Sequence, residues 1–154
     1  MQLSFRELIT SLHGMGFGAL FLFAFSGALV QLYRLCTPDK SSLMSIHERK
    51  LLRTYLVAMA VLAWGAVLSG AYIVYPWYRA HPPAGVTDYA GFPQRLLLSN
   101  PTTADWHNLG MEWKEHVAWF APIAITMVAY VFIKYGSDLA GHRQVRNAAF
   151  AFAV

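Results

Sequence analysis

Three apolar runs, at about residues 8–33, 54–75 and 110–133, leave this chain little choice of surroundings. A helix needs about 20 mostly apolar residues to cross the hydrocarbon of a bilayer, and each run meets that length. With 56% hydrophobic and only 13% charged residues among 154, the chain is too apolar for a soluble domain of its size. The first run exceeds a signal-peptide core, and no small-residue cleavage site follows it. The expected fold is an all-α integral membrane protein: one domain over residues 1–154, its three transmembrane helices forming a small bundle. A loop over 76–100 joins the second and third spans. A tail over 137–154 follows the third, carrying a fourth helix that is either partial or interfacial.

The formal charge of +4 invites a nucleic-acid reading, but the basic residues sit at the ends of the apolar runs and not on one helical face. Arg34, Lys40, Arg49, Lys50 and Arg53 lie between the first two spans, and Lys134, Arg143 and Arg146 follow the third. The 76–100 loop holds only Arg79 and Arg95, with Lys114 at its far margin. Positive loops stay cytoplasmic, so the N-terminus and the 76–100 loop are expected outside a bacterial plasma membrane. No nucleic-acid partner is expected. Cys36 is the single cysteine, which rules out an internal disulfide, and the absence of a CxxCH excludes covalent c-type haem. No HExxH, P-loop or dinucleotide fingerprint is present, which argues against a conventional hydrolase or kinase.

Helix boundaries are written locally. Ser4 with Glu7 and Ser45 with Glu48 are capping boxes, in which hydroxyl and carboxylate satisfy each other's free backbone N–H groups. They predict helices over 5–35 and 46–75, the second stopped by Pro76. Pro76, Pro82, Pro83 and Pro93 are expected to forbid a regular element in the loop, with 95–99 forming at most a short interfacial turn. Asn100 before Pro101 reads as an N-cap with proline at the first helical position. Pro122 is expected to kink the third helix near the Ala118 carbonyl, and Gly136 to end it. Asp138 is one place for the tail helix to start.

The residues most suggestive of chemistry are two intramembrane histidines. His13 precedes Arg34 by 21 residues and His116 precedes Lys134 by 18, so at 1.5 Å per residue their depths differ by only roughly 4 to 5 Å. Ionisable residues within spans default to functional hypotheses. One flat ligand touching both rings would be haem, since an imidazole ligates iron through one nitrogen while the other bonds an acceptor. The His13 face continues through Gly16, Leu20, Ala24 and Gly27, while the second helix offers Gly70 and Ala71 at the same depth with Gly65 and Ala66 below. His116 shares its face with Glu112, Trp113, Trp119 and Phe120. The candidate haem site is therefore His13 and His116 as ligands, with Gly16, Gly70 and Trp119 around the ring.

Each of these residues has a plainer reading. Lone histidines near span ends hydrogen-bond across helices, and Gly14 with Gly18 or Ala66 with Gly70 let helices approach closely without any cofactor. Lys114 and Glu115 read as a charged interfacial collar, and His107, half a turn out of phase with His116, is placed at the outer surface.

The histidine pair resembles, at class level, the small haem b membrane-anchor subunits of respiratory oxidoreductases, in which histidines on separate helices clasp a haem. The resemblance rests on His13 and His116 across the three spans, where typical members have four or five helices. It implies a cytochrome b subunit of a respiratory or photosynthetic complex, holding haem b near the outer face. Its implied partners are other membrane subunits, an extracytoplasmic redox protein on the 76–100 loop, and a quinone. Three alternatives stand beside it: a cofactor-free accessory subunit, a quinone or proton site using Glu112, Lys114 and Glu115, and a chlorophyll-type pigment in place of haem.

Overall fold

The computed structural model describes residues 4–36, 45–136 and 139–153. It is helical throughout, with no strand among the described residues. Three helices are long and apolar enough to cross a membrane: α1 (Phe5–Cys36), α2 (Ile46–Tyr78) and α4 (Pro101–Tyr135). A short helix, α3 (Pro93–Leu98), lies within the loop, and α5 (Arg143–Ala153) closes the chain. Lys40 of the basic first loop and Asp138, the expected start of the tail helix, fall outside the described residues.

The boundaries follow the local signals closely. Ser4 and Ser45 accept the N–H of Glu7 and Glu48, and the glutamates reach back to the cap N–H groups, completing both capping boxes. Asn100 accepts the Thr102 N–H one residue before Pro101. At the other end of α4, Arg53 Nε donates to the Phe132 carbonyl at 3.2 Å, supplying one of the partners that a helix C-terminus lacks. Regular helix lapses at Ala118–Trp119, the turn against which the Pro122 ring presses.

One expectation fails. Pro76 does not end α2, which runs on to Tyr78. Just before it, Gly70–Val74 is wound as a π-helix, and Pro76 falls in the first turn of the α-helical segment that follows.

The bundle is an open row. Helix α2 packs along both α1 and α4, which touch each other little. Core residues recur at helical spacing: Ala24, Ala28, Leu32 and Leu35 on α1; Leu52, Leu56, Met59 and Ala63 on α2; Ile125, Val128, Ala129 and Phe132 on α4. Helix α5 packs between the ends of α1 and α4, burying Ala149 in the common core. Its Arg146 is buried as well, with Nη1 donating to the Leu139 carbonyl at 2.9 Å.

The seam between α1 and α2 is built by laying rings on glycines. Tyr55 covers Gly27, Phe17 covers Gly65 and His13 covers Gly70, each so closely that an added Cβ would meet the ring at 2.5 to 2.8 Å. A Cβ added at Gly14 or Gly18 would meet nothing within 4 Å, so the GxxxG pair does not join these helices to each other.

Candidate functional site

All three spanning helices are underwound out of α-geometry at the same end of the bundle, the end that carries the 76–100 loop. Leu12–Gly16 in α1, Gly70–Val74 in α2 and Trp106–Met111 in α4 are each π-helical. Such widened turns cluster at functional positions. Each contributes to one cavity of about 450 Å³: His13 from the first, Gly70, Ala71 and Val74 from the second, Met111 from the third. That volume lies within the range of about 300–1,000 Å³ usual for small-molecule sites.

The remaining walls are small or aromatic. Ala66 and Ala118 thin them, while Tyr75, Trp77, Tyr78 and Trp119 supply flat apolar surface. Trp119 also packs edge-on against Trp64, whose indole N–H donates to Thr126 Oγ1 at 3.0 Å. Lys114 and Glu115 bring charge to the same cavity.

His13 is held by two contacts. Its ring lies on the bare backbone of Gly70, and its Nδ1 is 3.1 Å from Ser69 Oγ. Ser69 Oγ spends its own hydrogen on the Ala66 carbonyl. With that hydrogen spent, Ser69 Oγ is an acceptor for a protonated Nδ1, the tautomer that leaves Nε2 with its lone pair. Committing one ring nitrogen to an acceptor is how a ligating histidine is held in the correct tautomer.

Of the five residues expected around a ring, His13, Gly70 and Trp119 share this cavity, and Gly16 and His116 do not. The position beside Gly16 is filled from within its own helix, where Leu12 Cδ1 lies 2.7 Å from a Cβ built there. His116 is exposed, with Nδ1 only 2.6 Å from the Glu112 carbonyl one turn back. The structure thus separates the two histidines. Residue counting compares depths alone and carries no azimuth through the π-helical turn that holds His13 or the one that precedes His116.

Glu112 does not orient His116 through its side chain. Its carboxylate accepts from Arg79 Nη2 at 2.6 Å, and the same nitrogen donates to Glu115 Oε2 at 3.0 Å. Tyr75 donates its hydroxyl to Glu115 at 2.9 Å. Burial works against the Arg79 charge, but the bonds to Glu115 and Glu112 outweigh it and hold its pKa above the ordinary guanidinium value. Glu115, expected on an interfacial collar, is therefore turned inward to anchor Arg79.

His107, expected at the surface, is only 5% exposed. Helix α3 folds over it: Gln94 Nε2 lies 3.2 Å from its Nε2, and Tyr78 Oη lies 2.9 Å from its Nδ1. The signal for this burial was absent from helical phase, because the π-turn that begins at Trp106 shifts the register. Ser69 was equally missed, although it directly precedes Gly70 on the His13 face of α2.

Among the described residues no group of three or more His, Cys, Asp or Glu side chains could hold a bare metal ion. Of the two histidines expected as ligands, only His13 lines the cavity.

No family model matches the chain, and neither does any curated protein or solved structure.

Proposed function

We propose that the chain is a membrane cytochrome b subunit that holds haem b beside His13 and passes electrons within a respiratory or photosynthetic complex. The observation that supports this most directly is an imidazole held against Ser69 and Gly70 on the wall of a cavity of about 450 Å³. His13 would supply an axial ligand. Gly70, Ala66, Ala71 and Ala118 would leave room for the macrocycle edge, and Trp77 and Trp119 would pack on it. When bound, the iron supplies one-electron redox chemistry; the protein contributes ligand, orientation and a low-dielectric surround. His116 has no part in ligation within this chain.

The basic first loop and tail favour an orientation with the 76–100 loop outside a bacterial plasma membrane. That loop is then the docking place for an extracytoplasmic redox partner, and the lipid-facing apolar surfaces meet other membrane subunits or a quinone.

The test is a reduced-minus-oxidised spectrum of the purified full chain and two variants. Sharp b-type bands are expected in the wild type and in His116→Ala, and none in His13→Ala. Bands that survive in His13→Ala, or a wild type without haem, overturn the reading. The latter result favours a cofactor-free accessory subunit, for which His13 on Gly70 is one more ring-on-glycine contact like Phe17 on Gly65.

A further inference from the structure

Helix α5 carries apolar residues on more than the face it buries. Arg146, Ala149, Phe150 and Ala153, at helical spacing, turn toward the bundle, where Ala149 joins the core and Phe150 and Ala153 pack against it. Arg143, Gln144 and Asn147 form an exposed polar arc. Beside both lies a third arc of Val145, Ala148 and Phe152, spaced i, i+3, i+7 and exposed, with Phe152 70% accessible. A helix on a water-bathed protein has one apolar stripe, turned to the core. Three arcs suit a helix with three neighbours: protein, water and a further apolar phase.

The position of α5 identifies that phase. The thiol of Cys36, the last residue of α1, lies 3.8 Å from the Arg146 carbonyl, so the first turn of α5 meets the point where a spanning helix ends. Arg34 and Lys134 stand in the last turns of α1 and α4, where basic residues close a hydrocarbon span, and the Lys134 ammonium lies over the rings of Tyr130 and Tyr135 at 5.5 and 5.4 Å. Near the same level Val30 of α1 and Ile133 of α4 are exposed, so the apolar arc of α5 continues a surface that the spanning helices already present to lipid. Eleven residues of helix reach only about 16 Å, roughly half the hydrocarbon thickness, and cannot cross it. We propose that α5 is a membrane-surface anchor at the end of the bundle opposite the cavity. Val145, Ala148 and Phe152 enter the acyl boundary, while Arg143, Gln144 and Asn147 stay among headgroups and water. Residues 139–153 include His142, Arg143 and Arg146 and no acidic side chain, so nothing in the segment is repelled by anionic headgroups. The proposal is independent of what fills the cavity.

The test uses the full chain in nanodiscs of phosphatidylcholine and phosphatidylglycerol. In a Cys36→Ser background, where the hydroxyl keeps a donor toward the Arg146 carbonyl, a nitroxide is attached after Gln144→Cys, Asn147→Cys, Ala148→Cys or Phe152→Cys, one at a time. All four positions are exposed, so the labels leave the packed core untouched. Collision with oxygen, which concentrates among acyl chains, is compared with collision with a water-soluble nickel chelate. Ala148→Cys and Phe152→Cys should give an oxygen-to-nickel ratio severalfold above that of Gln144→Cys and Asn147→Cys. Preference for nickel at all four sites puts the apolar arc in water and overturns the proposal. Weak collision with both reagents at 148 and 152 means that protein, a second copy or another subunit, covers the arc, and overturns it equally. Preference for oxygen at all four sites places α5 wholly within the hydrocarbon and also overturns it.

Discussion

His13 Nδ1 lies 3.1 Å from Ser69 Oγ across the α1–α2 seam, and a proton on that nitrogen would leave Nε2 as the ligand. Removing the acceptor should leave the helices packed but the imidazole free to turn. Ser69→Ala is expected to weaken haem binding about 10- to 100-fold, the usual effect of losing a group that orients a ligating histidine. Equilibrium haem titration checks this, and unchanged affinity counts against the assigned tautomer.

The backbone of Gly70 is the floor under that ring, with Cε1 only 2.7 Å from where a Cβ would stand. Gly70→Leu should displace His13 and abolish haem retention. Gly27→Val, which strikes the Tyr55 ring, should instead lower thermal stability in detergent by about 1–3 kcal/mol without a direct effect at the cavity. Gly14→Ala meets nothing within 4 Å and should be neutral or slightly stabilising. If all three behave alike, the ring-on-glycine seam is not what holds α1 to α2.

Arg79 stands between Glu112 and Glu115, so Arg79→Ala leaves two carboxylates facing each other without a counter-charge. A loss of about 1.5–3 kcal/mol is expected, larger than for Glu112→Ala, which leaves Arg79 still paired with Glu115. Thermal unfolding of the two variants in the same detergent makes the comparison. The opposite order would show that the guanidinium is held mainly by something other than these carboxylates.

Tyr78 and Gln94 reach the same buried His107 from two sides of the loop. His107→Ala strands both partners, at a cost of about 1–3 kcal/mol. Because α3 is fastened through Gln94, the variant should also be cleaved faster within residues 80–92 in limited proteolysis. An unchanged digestion rate would mean that the loop is held down elsewhere.

Orientation is open to a direct labelling test. In a Cys36→Ser background, Gly91→Cys in the exposed part of the loop should react with an impermeant maleimide added to intact cells, as the positive-inside rule requires. Labelling only after lysis reverses the topology and moves the cavity to the cytoplasmic side.

Much of the scaffold was legible along the chain because it is written in local chemistry. Capping boxes at Ser4/Glu7 and Ser45/Glu48, the Asn100 cap and three apolar runs of bilayer length specify helix starts and spans through interactions a few residues apart. His13, Gly70 and Trp119 could be picked out because intramembrane imidazoles and thin helix walls are unusual on their own terms.

The site itself was decided in three dimensions. Whether His116 faces His13 depends on azimuth, and three π-turns together with the break at Ala118–Trp119 spoil any phase carried along an ideal helix. The burial of His107, the turning inward of Glu115 toward Arg79 and the Ser69 bond to His13 all join residues at least 13 positions apart. Local propensity reports what each segment becomes; only packing α2 between α1 and α4, with the loop folded over one end, determines which side chains share a cavity.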